Sequence, residues 1–490
     1  MSVTREVELK FELDTDDIDR LVAAPAFATV AALGHAQTST YFDTSDQALR
    51  KAGLSLRIRA IGKRRIQTVK AESASAAGLF ARREWEMPID GDRPVLGGAG
   101  NPLETLPAHE LQRLEPIFQI VVTRQTRNIE QDGAKIELVL DQGEIIAGCR
   151  TAPICEVELE LQEGSPAAVF ALARALDAVA PLQLSALSKA QLGYRLLDES
   201  AGQPVGSTVL PLTGNMTPSD GFEVIAHACI RQFRFNQSIL ARMDSPEALH
   251  QARVALRRLR SALSIFEEML AGDRFEYLLT GLRWIARELD MARNLDVLLE
   301  RLPDATMQEP LRLAREQAYA AAKVALVSPR LRTLMLALVE WITIGNWRTT
   351  FAAGMVDQRL DSFAAAALDR YRRRVKRRGR HWGRLDDEAR HKLRLQAKKL
   401  RYAADFFGLL FPGKKALRRH KGFLQALRAL QTSLGDLNDR ITGAALLTEL
   451  GLPDGSVSTM AGQQAEEREA MLEDASEAFD LLVDARIFWR

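Results

Sequence analysis

Charged and apolar residues alternate from the start of the chain, and this period of two constrains the fold of the N-terminal half. Glu6, Glu8 and Lys10 are each separated by one apolar residue. Successive side chains of a β-strand point to opposite faces, so these three charged groups share one face. Two carboxylates and an ammonium group fit a wet, charged cavity that holds a metal ion and an anion. A solvated strand face is the alternative for one such stretch taken alone.

The same alternation recurs downstream, which favours the cavity over the solvated face. Further alternating segments lie at 54–60, 65–71, 82–89, 119–131, 134–140 and 154–162. Asp132-Gly133 between two of them predicts a hairpin, and we take Gln142-Gly143 as a second turn signal. Many antiparallel strands with charged residues on one face predict a closed β-barrel with a polar interior.

A barrel of this kind would contain both a basic and an acidic set of side chains. Phosphate oxygens are bound well by arginine and lysine, whereas Mg²⁺ or Mn²⁺ prefers carboxylates and brings phosphates as further ligands. A polyphosphate chain with a divalent cation therefore suits the predicted lumen. A structural network of salt bridges is the alternative. Nucleic acid is disfavoured because the glutamates would repel its backbone.

Charge divides the chain into two parts. The 490 residues, 47% of them hydrophobic, are enough for two or three domains with cores. Residues 1–205 have a net charge of −7 and residues 206–490 a net charge of +9, which indicates modules with different partners. The three cysteines do not form a disulfide pattern, and no apolar run reaches the roughly 18–20 residues that span a bilayer. We therefore expect a cytoplasmic protein without a membrane partner.

The composition and periodicity of the sequence change after residue 200. Residues 201–217 are rich in Gly, Pro and Thr and read as a linker between a β domain (1–200) and a helical domain (218–490). The expected fold class is a multidomain α+β protein. Its antiparallel barrel precedes an all-α helical bundle with an internal repeat, the copies spanning about 218–355 and 356–490.

The repeat is a basic helical motif that returns 141 residues later. At about 100° per residue, the basic residues of each copy form one stripe along a helix. The first stripe consists of His250, Arg253, Arg257 and Arg260, and the second of His391, Arg394, Lys398 and Arg401. A second copy facing the first would bring two basic faces together. A solvated helix face is the alternative for either stripe alone.

Motifs of the first 200 residues resemble, in order, those of the CYTH family of triphosphate tunnel enzymes. They are Glu6-x-Glu8-x-Lys10, Tyr41-Phe42-Asp43-Thr44, Leu56-Arg57-x-Arg59, Lys70, Arg82-x-Glu84-x-Glu86, Arg124-x-x-Arg127, Glu156-x-Glu158 and Leu187-Ser188-Lys189. Members are tunnel-shaped β-barrels that act on triphosphate compounds with a divalent metal. The family includes inorganic, thiamine and RNA triphosphatases and class IV adenylate cyclases.

The resemblance implies roles for individual residues. The phosphate-binding set is Arg57, Arg59, Lys70, Arg82, Arg124 and Lys189, and the metal-binding set is Glu6, Glu8, Glu156 and Glu158. Lys10 and Glu158 are the candidate catalytic residues. We expect Lys10 to contact a phosphate or to activate water, with its pKa lowered by Lys70 and Lys189.

The helical half resembles the CHAD family, a helical domain associated with binding inorganic polyphosphate. The stripes described above are the motifs concerned, and Arg373, Lys376 and Arg377 extend the basic surface. Between Arg370 and Arg401 there are 15 basic residues and three acidic ones. This chain has Arg293-Asn294 where the family often has Arg-Asp. Nucleic acid is the rival ligand, but no aromatic residues are interleaved for base stacking.

The sequence as a whole predicts a metal-dependent inorganic triphosphatase that hydrolyses tripolyphosphate, with a basic domain that binds long-chain polyphosphate. Mg²⁺ or Mn²⁺ is the expected cofactor. One alternative is a catalytically idle protein that binds polyphosphate or targets its granules. Another keeps the enzyme and changes the substrate to thiamine triphosphate, or to ATP in a cyclase reaction. The oligomeric state is left open.

Overall fold

The computed structural model describes most of the chain. The described residues are 8–28, 33–71, 79–80, 84–98, 100–185, 187–200, 202–301, 305–348, 358–449 and 454–490. They confirm the expected order of an antiparallel sheet domain followed by a helical domain.

The described residues of the N-terminal part form ten strands and six α-helices. The strands are β1 (Glu8–Glu12), β2 (Leu33–Asp43), β3 (Leu54–Ile61), β4 (Arg64–Ala71), β5 (Leu79–Phe80), β6 (Glu84–Ile89), β7 (Glu115–Gln131), β8 (Ala134–Ala147), β9 (Arg150–Glu163) and β10 (Gln183–Leu184). The helices are α1 (Ile18–Val22), α2 (Pro25–Ala28), α3 (Ala48–Lys51), α4 (Ala108–Leu111), α5 (Pro166–Asp177) and α6 (Lys189–Leu197).

All ten strands belong to one antiparallel sheet. Their order is β10-β1-β9-β8-β7-β2-β3-β4-β6, and β5 pairs with β1. Because β5 lies between β4 and β6 in the chain, its pairing with β1 links one end of the sheet to the other. The sheet is therefore strongly curled, as a tunnel requires.

One of the two turn predictions is confirmed and the other is wrong. Asp132 and Gly133 both have positive φ angles (50° and 73°) and connect β7 to β8, as in a type I′ hairpin. Gly143 instead lies inside β8, where a Cβ atom would overlap the backbone of Val121 on β7. The glycine allows a close approach of two strands, and β8 continues to Ala147.

Strand β2 is not among the alternating segments that the sequence predicts. Its alternation is hidden because one face carries polar residues, His35, Gln37 and Ser39, and the other carries small residues. Gln37 and Ser39 are nevertheless buried. A strand that is polar on its buried face gives little hydrophobic signal.

The C-terminal part is helical. Its helices are α7 (Pro218–Leu240), α8 (Pro246–Ile265), α9 (Glu267–Leu270), α10 (Asp273–Glu288), α11 (Asp290–Arg301), α12 (Ala305–Val327), α13 (Pro329–Ile344), α14 (Leu360–Gly379), α15 (Asp387–Phe407), α16 (Lys414–Glu449) and α17 (Asp454–Asp484). In the described part of the chain, none of them has the length and apolar character needed to cross a bilayer.

The chain forms two compact units. The first unit contains the residues up to Thr208 together with two pieces of the helical half, His227–Ala252 and Val324–Gly345. The second unit contains Val209–Ala226, Arg253–Lys323 and Asn346–Arg490. In the first unit, apolar side chains on the outer face of the sheet, such as Leu56 and Val69, pack under the short helices. That packing leaves the opposite face for the charged residues.

Candidate functional site

Strand register places the described charged residues of the predicted site on one face of the sheet, called the inner face below. Direct cross-strand partners point to the same side of a sheet. Lys10 is the partner of Glu158, and Tyr41 is the partner of Arg57. A row of partners crosses five neighbouring strands through Glu12, Glu156, Asp141, Arg124 and His35.

The inner face is curled so that distant strands meet. Five strands separate β1 from β4 in the sheet order. Nevertheless Lys10 and Glu8 of β1 both shift the pKa of Lys70 on β4. Such interactions need short distances between poorly solvated charges. The inner face is therefore curled so that β1 and β4 approach each other, and we call the space that this face lines the lumen.

Helix α6 brings a further lysine to the inner face. Tyr194 of this helix packs edge-on against Phe118, and Phe118 stacks on Tyr41, with ring centroids 5.3 and 4.6 Å apart. Ser188 begins the helix with a capping box. Aromatic packing and the cap together fix the position of Lys189, the first residue of α6.

Glu158 lies at the centre of the buried charges. Its Oε1 accepts hydrogen bonds from Lys10 Nζ and Lys189 Nζ, each at 2.7 Å, and its Oε2 accepts one from Arg124 Nη2 at 3.1 Å. Burial alone would raise the pKa of Glu158, but Lys10, Lys189 and Arg124 hold it well below its usual value. Glu158 is therefore an anion that orders three cations.

Lys10 differs from the expectation drawn from the sequence. Burial lowers its pKa and Lys189 acts in the same direction, but the carboxylates of Glu158 and Glu8 outweigh both. Glu8 Oε1 lies 3.0 Å from Lys10 Nζ. The pKa of Lys10 is consequently raised, and the expected lowering by neighbouring lysines is wrong. Lys10 stays protonated and has no free electron pair with which to act as a base.

Asp141 is a site residue that the sequence reasoning missed. It is fully buried, accepts a hydrogen bond from Arg124 Nε at 2.7 Å, and forms an ion pair with Lys189 Nζ at 2.9 Å. Lys189 also donates to Glu156 at 2.6 Å, while Glu156 Oε1 is buried and has no hydrogen-bond partner within the described ranges. The turn predicted at Gln142-Gly143 ends the alternating segment at residue 140, so the sequence prediction does not include Asp141. One more step of the β8 alternation would have found it.

Arg57 and Arg59 lie two residues apart on β3 and point into the lumen. The Nε atoms of both are buried and have no hydrogen-bond partner in the part of the chain that the structure describes. Arg57 is the main cause that lowers the pKa of Arg59 to about 10, followed by burial and by Arg124. Three guanidinium groups thus repel one another around a space that an anion would stabilise.

Lys70 borders the same space from β4. Burial, and then the charge of Arg57, lower the pKa of Lys70 to about 8, although Lys70 forms an ion pair with Glu84 of β6. Lys70 is thus the lysine of this lumen that titrates closest to neutral pH. Sequence reasoning assigned such a shift to Lys10, because alternation does not show which charges meet across the lumen.

The predicted metal ligands are only partly placed. Glu6, and also Arg82 of the phosphate set, lie outside the described residues. Within the described residues, no three acidic, histidine or cysteine side chains form a group able to hold a metal ion. A magnesium ion that arrives with a triphosphate needs only one or two protein carboxylates. Glu8, next to Lys10, fits that role, and the metal assignment stays a prediction.

Asp43 and Arg127, which belong to the sequence motifs of the sheet domain, make contacts that hold the fold together. Asp43 accepts hydrogen bonds from the backbone N–H of Leu49 at 2.8 Å and from the Tyr194 hydroxyl at 2.6 Å. It therefore anchors α3 and α6. Arg127 follows Arg124 by three residues on β7, so its side chain points to the opposite face of the sheet. Its guanidinium carbon lies 4.6 Å from the centroid of the Phe27 ring.

The second unit places the two helical repeats in reciprocal contact. Residues 258 and 399 are equivalent in the repeat, and so are residues 264 and 405. Lys399 Nζ donates to Ser264 Oγ at 2.8 Å, and the equivalent Arg258 lies close enough to Asp405 to shift its pKa. Such exchanged contacts are typical of two similar units related by an approximate twofold axis.

A group of basic side chains from both repeats lies close to Arg260 and Lys399, beside the carboxylates of Asp290 and Glu267. We call it the cationic cluster, and it consists of Arg257, Arg260, Arg283, Arg287, Arg374 and Lys399. Burial and Arg283 lower the pKa of Arg260. Burial, Arg374 and Arg260 lower the pKa of Lys399. Cations that depress one another's pKa form a site for an anion.

The cationic cluster includes two residues of the first predicted stripe, Arg257 and Arg260. The Nε of Arg257 is buried, and no described residue accepts a hydrogen bond from it. Arg253 instead donates to the backbone oxygen of Asp290 at 3.2 Å and pairs with its carboxylate at 2.7 Å. His250 also lies on α8.

The second stripe lies on α15, where His391, Arg394, Lys398 and Arg401 occur. The Nε of Arg401 is buried without a hydrogen-bond partner in the described residues, and its guanidinium lies 4.9 Å from the ring of Tyr402. The member of this helix in the cationic cluster is Lys399, which the sequence reasoning missed.

The basic residues of α14 separate into different surroundings. Arg373 and Arg377 are exposed, whereas Lys376 is half-buried near Arg372 and Asp484. Arg374, one residue from Arg373, is the α14 member of the cationic cluster.

Comparison with known families assigns both parts of the chain. Residues 4–194 match the CYTH domain, and residues 224–448 match the CHAD domain. An inorganic triphosphatase of Haemophilus influenzae is 35% identical over 161 residues, which are 32% of this chain and 45% of that protein. The match therefore spans less than half of the relative's length.

Solved structures give similar matches. A CHAD domain from the plant Ricinus communis is 29% identical, covers 56% of this chain and 96% of its own, and has a TM-score of 0.49. A putative adenylyl cyclase from Hippeastrum, described as having a dominant triphosphatase activity, is 21% identical with a TM-score of 0.30. It covers 39% of this chain and 95% of its own. With TM-scores below 0.5, these structures add nothing to the family matches.

Proposed function

We propose, from the premise that this protein is a member of the CYTH family with a CHAD domain after its CYTH domain, that its N-terminal lumen hydrolyses tripolyphosphate. The single observation that carries the proposal is the pair of buried Nε atoms of Arg57 and Arg59, which have no hydrogen-bond partner among the described residues. Buried guanidinium donors without acceptors are costly, and phosphate oxygens would satisfy them. The related inorganic triphosphatase of Haemophilus influenzae supports the same reaction.

The cations of the lumen suit a linear triphosphate. Arg57 and Arg59 on β3 and Lys70 on β4 would bind phosphate groups from one side, and Lys10 on β1 from the opposite side. A triphosphate is a short chain of anions and can contact both sides at once. Asp141 and Glu158 would hold Arg124 and Lys189 in fixed positions by the hydrogen bonds described above, so the site would be ordered before substrate binds.

Hydrolysis here would be the displacement of a terminal phosphoryl group by water. Negative charge spreads over the equatorial phosphate oxygens in the transition state, and preorganised cations stabilise it. Lys10 would act as one of these cations, because its raised pKa keeps it protonated. Glu158 would act by orienting Lys10, since its own lowered pKa makes it a weak base.

We also propose that Mg²⁺ or Mn²⁺ accompanies the substrate, held by Glu8 and Glu6. When bound, the ion would neutralise phosphate charge and orient the phosphate chain. The charges of Lys10 and Lys70 would share that neutralisation.

For the second unit we propose binding of long-chain polyphosphate at the cationic cluster. Its six basic side chains come from both repeats, and Arg257 offers a buried donor without an acceptor among the described residues. A flexible chain of phosphates can follow such a surface without any base to recognise.

A substrate panel tests the enzyme. Purified protein is incubated with tripolyphosphate, thiamine triphosphate or ATP, each with Mg²⁺ or Mn²⁺, and released phosphate and cyclic AMP are measured. We expect fastest phosphate release from tripolyphosphate and no cyclic AMP. Binding of long polyphosphate without any phosphate release from the three substrates would instead establish the catalytically idle alternative.

A further inference from the structure

Arg234 of α7 connects the helical half of the sequence to the sheet within the first unit. It is only 4% exposed, and its Nε and Nη2 donate to the backbone oxygen of Leu184 at 2.9 and 2.6 Å. Its Nη1 donates to the side-chain oxygens of Gln183 and Gln237 at 3.0 and 2.5 Å. Two of these three acceptor residues form β10, the edge strand of the sheet.

Strand β10 in turn holds β1, the strand that carries Lys10. Phe11 is the register partner of Leu184, and the backbone N–H of Ser185 donates to the backbone oxygen of Lys10 at 2.8 Å. One short strand therefore lies between the guanidinium of Arg234 and the backbone of Lys10. A two-residue strand has few ladder hydrogen bonds of its own and depends on what covers its outer edge.

The surroundings of Arg234 indicate a geometric role. Among the described residues, its hydrogen bonds all go to neutral oxygens, and burial lowers the pKa of its guanidinium to about 10 while Glu12 opposes the shift. A buried cation without a directly bonded carboxylate costs stability compared with an apolar residue of similar size. The planar guanidinium group of Arg234, however, can donate two hydrogen bonds to one backbone oxygen, which apolar side chains and lysine cannot do.

A second set of contacts joins the helical piece Val324–Gly345 of the first unit to the sheet domain. Arg332 of α13 donates to Asp177 at 2.6 Å, and Arg174 of α5 pairs with Glu340 at 3.2 Å. Helix α5 directly follows β9, the strand that carries Glu158. Strand β1, through β10, and strand β9, through α5, are thus both connected to helices beyond residue 208.

We propose that Arg234 is a positioning residue for the tunnel. By holding β10 against β1, it sets the placement of Lys10 and Glu8, so the active lumen is completed by a residue of the family's CHAD domain. The consequence for catalysis rests on the proposed function, whereas the control of β1 does not.

The test uses the full chain and three variants. Arg234→Met removes the donors and keeps the side-chain length. Arg234→Lys keeps one charge without the planar guanidinium group and is the milder variant if Arg234→Met does not fold. Arg242→Met is the matched control, because Arg242 is an exposed arginine just beyond the end of α7. Amide hydrogen exchange is followed at residues 8–12 and 183–185, and tripolyphosphate hydrolysis is measured below the unfolding temperature.

We expect Arg234→Met to speed exchange at β1 and β10 at least about tenfold and to lower kcat. The β3–β4 hairpin should keep its exchange rates, Arg234→Lys should lie in between, and Arg242→Met should match the wild type. Unchanged exchange at β1 in a folded variant would overturn the proposal and leave the triphosphatase assignment intact. An inactive wild type with faster β1 exchange in Arg234→Met would overturn the proposed function alone.

Discussion

Phe266 and Phe407 pack edge to face in the second unit, with ring centroids 6.1 Å apart and an interplanar angle of 69°. They occupy equivalent positions in the two helical repeats, 141 residues apart. Equivalent residues touch each other only close to the axis that relates two copies. The repeats therefore share one core, and the cationic cluster assembled from both depends on their docking.

A double-mutant cycle tests that shared core. Both rings are fully buried, so Phe266→Ala and Phe407→Ala should each destabilise the protein by about 3–5 kcal/mol. Because the rings touch, the double variant should lose less than the sum of the two, by about 0.5–3 kcal/mol. Denaturant unfolding measures all three. Strict additivity would show that the rings belong to separate cores.

Removal of one lumen arginine should weaken substrate binding. Arg59→Gln deletes charge-assisted hydrogen bonds to phosphate worth about 1.5–3 kcal/mol, so KM for tripolyphosphate should rise about 10- to 100-fold. Arg93→Gln is the control, since Arg93 is exposed in the loop after β6. Initial rates over a range of substrate concentrations give both values. Equal KM values for the two variants would remove Arg59 from the phosphate site.

The lowered pKa of Lys70 predicts a pH dependence. Its side chain is charged below a pKa of about 8 and loses that charge as the pH rises through this value. We therefore expect kcat/KM for tripolyphosphate to fall above pH 8. Lys70→Arg should remove the Lys70 component, because arginine stays protonated over this range. Ionisation of the substrate is common to both proteins, so the difference between their pH profiles isolates Lys70.

The buried ion pairs of Glu158 should contribute strongly to the stability of the protein. Glu158→Gln leaves Lys10 and Lys189 buried with one carboxylate fewer, and the free energy of unfolding should fall by about 3–5 kcal/mol at neutral pH. The lowered pKa of Glu158 means that its contribution is present above the unfolded pKa of about 4 and is lost as the pH falls further. Unfolding measured at several pH values should thus show the two proteins converging in acid.

Glu163→Gln provides the control for that measurement, because Glu163 is an exposed glutamate at the end of the same strand. Its effect should stay within about 0.5 kcal/mol. A loss of similar size in both variants would contradict a special role for Glu158.

Long-chain polyphosphate binding should require both repeats. Arg260→Gln combined with Lys399→Gln removes one charge of the cationic cluster from each copy, and we expect at least about tenfold weaker binding with a reduced dependence on salt. Lys421→Gln is the control, since Lys421 is an exposed lysine on α16 outside the cluster. Calorimetric titration measures both. Tripolyphosphate hydrolysis should remain near the wild-type rate, and its loss would argue against two separate sites.

Local patterns in the sequence were sufficient for the fold class and for part of the site. Period-two alternation placed Lys10 and Glu8 on one face because a strand alternates whatever surrounds it. Asp132-Gly133 predicted its hairpin because positive φ angles suit those residue types. Strand β2 was missed because its inner face is polar, and Gly143 was misread because a glycine serves a turn and a close strand approach equally well.

What the sequence by itself determined was therefore which residues share a face of a strand or a stripe of a helix, since both follow from local backbone geometry. Tertiary structure decided which charges meet. It turned Lys10 into a stable cation, gave Lys70 the lowered pKa, brought Asp141 to Arg124, and joined Arg260 to Lys399 across the repeats. The pKa of a buried group depends on its through-space neighbours and on its loss of water. Neither quantity is encoded in the spacing of residues along the chain.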